Sequence, residues 1–233
     1  MMNEFVFTST FFSLVISLVG YELGVFLKKK TGLAIFTPLL IAIIFVITFL
    51  VIFRVDYESY EKGSGILSYF LTPSTVALAV PLYRQWEVLK KNGMAIGLGI
   101  LSGVLTSLIA TLVLALIFDL SHKEYVTLLP KSITTAIGMS LSEEMNGIVT
   151  VSVAAIVLTG IVGNMMGSFI CRLFRIEERI AVGVALGTSA HAIGTARAME
   201  LGEVEGAMSS LSIVVAGLLT VVGANVFMMI PLI

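Results

Sequence analysis

Charge is scarce in this chain. Its 233 residues include 14 Lys and Arg against 15 Asp and Glu, so 12% are charged. An ordinary soluble domain carries about a quarter. The net charge of −1 leaves no basic patch to neutralise phosphates, which excludes nucleic acid as a partner. Cysteine is nearly absent too. A lone Cys171 excludes an intrachain disulfide and any cysteine-based metal cluster. There are two histidines, His122 and His191, and one His without a second ligand makes no metal site. No nucleophile–base pair stands out, so neither an enzyme nor a cofactor is expected. The start, Met1-Met2-Asn3-Glu4, lacks a basic region, so no cleavable signal peptide is expected. The last residues are still apolar, so no soluble domain is expected after them.

Apolar residues are abundant. They make up 58% of the chain, and the mean hydropathy is +1.05. That composition predicts an all-α polytopic membrane protein. A spanning helix needs about 20 apolar residues. Six runs qualify: Phe5–Leu27, Leu33–Phe53, Gly63–Tyr83, Gly93–Phe118, Gly147–Cys171 and Gly206–Ile233. Two shorter stretches, Val126–Ser142 and Ile180–Ala196, are ambiguous. Both are rich in Gly, Ser and Thr; one holds Pro130 and Lys131, the other His191.

The positive-inside rule separates two topologies. If all eight segments span, seven basic residues fall inside with Lys28, Lys29 and Lys30, while Arg172, Arg175 and Arg179 fall outside. If the two ambiguous stretches are re-entrant, that arginine cluster moves inside and the total becomes ten. The expectation is therefore six spanning helices plus two re-entrant or broken segments, with eight spans as the alternative. Both chain ends would be extracytoplasmic.

The two short stretches resemble each other. Thr134-Thr135-Ala136-Ile137-Gly138 and Ala190-His191-Ala192-Ile193-Gly194 align at a spacing of 56 residues. Downstream, Val162-Gly163-Asn164 matches Val222-Gly223-Ala224-Asn225. Related units of opposite orientation make an inverted-topology repeat, over 126–175 and 184–233. They follow an N-terminal helix pair, 1–62, and a kinked pair, 63–118. The whole of 1–233 is expected to be one transmembrane domain.

Non-helical backbone survives inside a bilayer only where protein or a watery cavity satisfies it. Gly138, Gly187 and Gly194 permit it, and Pro130 suits the start of a half-helix. Opposed half-helix N-termini suit a small anion. Thr134, Thr135, Thr188, Ser189 and Thr195 would add hydroxyls, although such residues also serve plain helix packing. An ionisable residue at membrane depth points to function. His191 would contact a carboxylate or carry a coupling proton; the alternative is a neutral tie between helices. Arg197 would clamp a carboxylate, or pair with Glu200 or Glu203. Asn164 and Asn225 would brace the tips. Pro73 and Pro81 interrupt the third run, and Ser74 and Thr75 beside them would complete the cavity. Pro38 would kink the second run.

Several motifs carry a family resemblance. They are Leu71-Thr72-Pro73-Ser74-Thr75 through Pro81-Leu82-Tyr83, Pro130-Lys131-Ser132-Ile133-Thr134-Thr135-Ala136-Ile137, Gly187-Thr188-Ser189-Ala190-His191, and Glu200-Leu201-Gly202-Glu203-Val204-Glu205. In this order they resemble the LrgB/CidB family of bacterial membrane proteins over essentially the full length. The resemblance implies a multi-pass protein of the bacterial cytoplasmic membrane with a small LrgA/CidA-type membrane partner, in a homo- or hetero-oligomer. It implies one of two functions. One is secondary transport of small 2-oxo or 2-hydroxy monocarboxylates such as pyruvate, lactate or glycolate, coupled to H+ or Na+. The other is a holin- or antiholin-like influence on murein hydrolase activity and autolysis.

Overall fold

The computed structural model describes residues 10–33 and 36–232, and every regular element among them is helical. Five segments are long and apolar enough to cross a membrane: Phe11–Thr31, Tyr57–Arg84, Trp86–Ile117, Val149–Leu173 and Glu203–Phe227. The chain is an all-α polytopic membrane protein. It divides into two compact units, residues 1–77 and 78–233. The first residues of the expected first span, and Ile233 of the last, lie outside the described residues.

In the first unit, α1 (Thr10–Thr31) ends on Lys28, Lys29 and Lys30, whose charges suit the negative end of a helix. Gly32, at φ +67°, turns the chain out of it. α2 (Pro38–Phe53) is only 16 residues long, about 24 Å at 1.5 Å per residue. Pro38 does not kink this helix; it begins it. Thr37 caps the end, its hydroxyl accepting from Leu40 N at 3.3 Å, and Pro38 takes the first position, where a missing N–H costs no helical bond. α1 and α2 run antiparallel: Gly20 abuts Ala42 and Phe45, and Gly24 abuts Pro38 and Ile41. α3 (Tyr57–Tyr69) is tied to α1 by a 2.7 Å bond between the hydroxyls of Ser17 and Tyr60.

The third apolar run is interrupted at Phe70 and Leu78, giving α4 (Leu71–Ala77) and α5 (Ala79–Arg84). Pro73 and Pro81 each sit third in a short helix, where they break no bond within it.

The second unit is built on three long helices: α6 (Trp86–Ile117), α9 (Val149–Leu173) and α11 (Glu203–Phe227). Between them lie two hairpins of half-length helices. The first comprises α7 (His122–Leu128), a 3-10 turn at Leu129–Ser132 and α8 (Thr135–Glu144). The second lies within α10 (Arg179–Leu201), which is broken at Ala190 and His191; His191 has φ 42° and ψ −137°. The half-helices 179–189 and 192–201 span about 15 Å each, half the roughly 30 Å of a bilayer's hydrocarbon core.

Neither short stretch runs through as one helix. In α10, Gly194 faces Leu186 O and Ala190 Cβ, eight and four residues back, which only a reversal of the chain allows. In the first hairpin, Thr127 of α7 reaches the far side of α8: its Oγ1 accepts from Ile148 N at 2.8 Å, and its carbonyl accepts from Ser152 Oγ at 2.6 Å.

The entry of the first hairpin carries a capping box. Glu124 N donates to Ser121 Oγ at 3.4 Å, and Ser121 N donates to Glu124 Oε2 at 2.8 Å. The bonds from the Ser121 side chain and then its backbone hold the Glu124 pKa below the usual carboxylate value. A depressed folded-state pKa stabilises above the unfolded value and loses its effect as pH falls through the folded one. Glu124→Gln should therefore lower the melting temperature in detergent at pH 7, with the gap closing below about pH 4. A gap that persists at lower pH would mean the carboxylate charge is not what holds the cap.

Candidate functional site

The two hairpins enter from opposite ends of the second unit. The base of the first lies beside the start of α9, through the Ser152 bonds to Thr127 and Ser142, and beside the end of α11, where Tyr125 OH donates to Phe227 O at 3.1 Å. The base of the second lies at the other ends of the same helices. Arg179 and Glu205 approach to 3.9 Å at the start of α11, and Arg197 Nε donates to Ser168 Oγ at 3.1 Å near the end of α9.

The tips meet at one residue of α9. Gly138 faces the side chain of Ile156 so closely that a β-carbon there would overlap it. His191 Nε2–H donates to the carbonyl of the same Ile156 at 3.0 Å, which fixes the ring's tautomer. Thr195 supports this tip from within: its hydroxyl donates to His191 O at 3.0 Å and lies 2.7 Å from Ser209 Oγ on α11. Asn164 Nδ2 donates to Ile193 O at 2.9 Å and so links α9 to the outgoing half-helix. Asn225, its sequence counterpart, donates only to Val221 O within α11.

Small residues make this packing possible. Gly187 lies directly on the main chain of Ser209, and Gly183 lies on that of Glu205. Gly160, Gly163 and Gly167 of α9 receive Ile193 and His191, Ala190, and Leu186 in turn. Close backbone approach of this kind is the usual basis of helix association in membranes.

A cleft of about 1200 Å³ opens between α6, α9 and the ingoing half of α10. It follows α6 from Asn92 to Ala110, roughly 27 Å at 1.5 Å per residue. Asn92 and Glu178 line it near the base of the second hairpin. At the tips it is lined by Lys131 and Ser132 of the first hairpin and Thr188 and Ser189 of the second, with Thr106 and Ser107 of α6 alongside.

The sequence candidates divide accordingly. Thr188 and Ser189 line the cleft. Thr134, Thr135, His191 and Thr195 do not; Thr134 is the N-cap of α8 but its hydroxyl caps nothing, and His191 and Thr195 are engaged in holding the tip. Arg197 is turned to Ser168 and Glu200, at 3.1 and 2.6 Å, and is not among the cleft's lining. Pro130 is buried in the first tip within the 3-10 turn. Pro73 and an exposed Ser74 belong to the first unit, and the side chain of Thr75 lies outside the described residues.

Sequence reasoning passed over Lys131, Ser132, Thr106 and Ser107 of the cleft. Lys131 Nζ donates to Ser107 Oγ at 2.9 Å, and Ser107 and Ser132 share a bond of 2.8 Å. Lys131 carried a usable signal, since a lysine in an apolar stretch meets the same criterion that singled out His191. Ser107 carried none: it is one of several hydroxyls in the charge-free run Gly93–Phe118. Among the described residues, no cluster of His, Cys, Asp and Glu could hold a metal ion.

A profile of the LrgB-like family matches residues 17–230. The chain is 38% identical over 220 residues to the antiholin-like protein LrgB of Bacillus subtilis (strain 168), covering 94% of this chain and 95% of that protein. It is 36% identical to the antiholin-like protein LrgB of Bacillus mycoides (strain KBAB4) and 37% identical to that of Bacillus cereus (strain B4264), each over 219 residues with the same coverage. No solved structure matches. A match over nearly the whole length makes this chain a member of the LrgB-like family.

Proposed function

We propose that the chain is a secondary carrier for small monocarboxylates of the pyruvate, lactate and glycolate class, in the bacterial cytoplasmic membrane. One observation carries this reading: two half-length hairpins enter from opposite ends and meet beside a cleft whose inner end is polar. Broken helices meeting at mid-depth are the usual architecture of a carrier's substrate site. The cleft's other end, at Asn92 and Glu178, is flanked by Lys90, Lys91, Arg172, Arg175 and Arg179. By the positive-inside rule that end faces the cytoplasm. Coupling to H+ or Na+ and assistance from a small LrgA/CidA-type membrane protein belong to this proposal.

The names of the relatives favour a second reading more directly. All of those compared above are called antiholin-like, and on that analogy the chain modulates murein hydrolase activity and autolysis. One experiment separates the two. Proteoliposomes with and without the small partner are given labelled pyruvate, lactate or glycolate from outside. A carrier gives saturable, stereoselective uptake. A lysis phenotype that persists without any such carboxylate, alongside liposomes that take up none, would remove the carrier reading and leave the antiholin-like one.

A further inference from the structure

We infer that Lys131, with the hydroxyls of Ser107 and Ser132, is an anchoring site for a single negative charge in the cleft, and that it selects monoanions over dianions. The inference rests on the carrier reading for its biological setting, while the site itself stands on its own geometry.

Lys131 projects from the 3-10 turn at the first tip toward the middle of α6. Its ammonium has three donors, and the protein uses one, on Ser107 Oγ at 2.9 Å. No carboxylate among the described residues lies within 4.0 Å of it. An ammonium held only by hydroxyls in apolar surroundings is costly, and a bound anion supplies what the protein omits.

The hydroxyls are arranged to share that anion. When Ser107 accepts from Lys131 and donates to Ser132 across their 2.8 Å contact, Ser132 keeps its own O–H free to donate. Thr188 lines the cleft from the second hairpin, packed on Gly103 one turn of α6 away. It is 6% exposed, and among the described residues its Oγ1 has no hydrogen-bond partner.

Selectivity follows from the charge count. Among the described residues, Lys131 is the only basic side chain lining the cleft, and Glu178 is the only acidic one. Glu178 is occupied at the base, where its carboxylate accepts from Ala181 N at 3.0 Å. A monoanion is thus fully compensated at the tip. The second charge of a dianion would be left in apolar surroundings with no cation to meet it.

Equilibrium binding of labelled pyruvate to the purified full chain in nanodiscs tests this, using glycolate and succinate as competitors. Lys131→Gln should weaken pyruvate binding by about tenfold or more, Ser107→Ala by about threefold, and Lys131→Arg should retain most of it. Glycolate should compete at least about tenfold better than succinate. Unchanged affinity in Lys131→Gln, equal competition by succinate, or no binding to the folded wild type would overturn the inference. If Lys131→Gln does not fold, Ser107→Ala decides, and wild-type affinity there overturns it. Binding that depends on Lys131 without uptake into liposomes would uphold this site and remove the carrier reading.

Discussion

Gly187→Val should cost a large share of the protein's folding stability. A β-carbon at Gly187 falls on the carbonyl oxygen and Cα of Ser209. These are main-chain atoms inside a helix, so no side-chain rotation relieves the overlap. Overpacking a tight core by a methylene or so costs about 1–3 kcal/mol, out of a total of about 5–15 kcal/mol. Gly187→Ala should fall in that range, and the branched Val should exceed it. Gly97 of α6 is the control, because a β-carbon there meets nothing within 4 Å. Gly97→Ala should be neutral or slightly stabilising, since alanine suits a helix better than glycine by about 0.5–1 kcal/mol. Thermal unfolding in detergent, followed by helical circular dichroism, measures all three. Equal melting temperatures for Gly187→Ala and Gly97→Ala would mean that the ingoing half-helix does not lie on α11 as described.

The second large effect reverses a familiar order. In a helix interior, alanine is more stable than glycine by about 1 kcal/mol. At position 191 glycine should win. Both His191→Ala and His191→Gly lose the bond to Ile156 O, a net loss of about 0.5–1.5 kcal/mol because that carbonyl lies inside α9 and keeps its helical N–H donor. Alanine must also hold φ 42° and ψ −137°, a backbone conformation that strains any residue with a β-carbon by about 1–3 kcal/mol. Glycine is free of that strain. The Gly variant should therefore unfold at higher temperature or denaturant than the Ala variant, and the Ala variant below wild type. If Ala proves the more stable, α10 is continuous through His191 and the second hairpin does not exist.

Much of this architecture was legible because membrane physics writes it into composition. Long charge-free runs mark α6, α9 and α11, and polar, glycine-rich interruptions mark the two hairpins. Pro38 misled because its apolar neighbours made the run look unbroken, whereas Thr37 before it is an ordinary helix cap. The site was harder to read. Repetition drew attention to the two Ala-Ile-Gly segments, yet these face neighbouring helices: Ile137 lies by Gly217, and Ile193 by Gly160. The cleft is lined instead by what precedes each of them, Lys131-Ser132 and Thr188-Ser189. No helical period links Lys131 to Ser107 across 24 residues. Only the fold brings them together. The matched asparagines make the same point, since one braces a tip and the other bonds within its own helix.

Ile156 gives the two tips different mechanical attachments. The first tip rests on its side chain and the second on its main-chain carbonyl. Mutation can shorten or lengthen the side chain, but no amino-acid exchange removes the carbonyl. A series such as Ile156→Val and Ile156→Ala therefore loosens the seat of one hairpin while keeping the acceptor for the other. That single position acts as an asymmetric handle, through which the first tip can be adjusted against a fixed second.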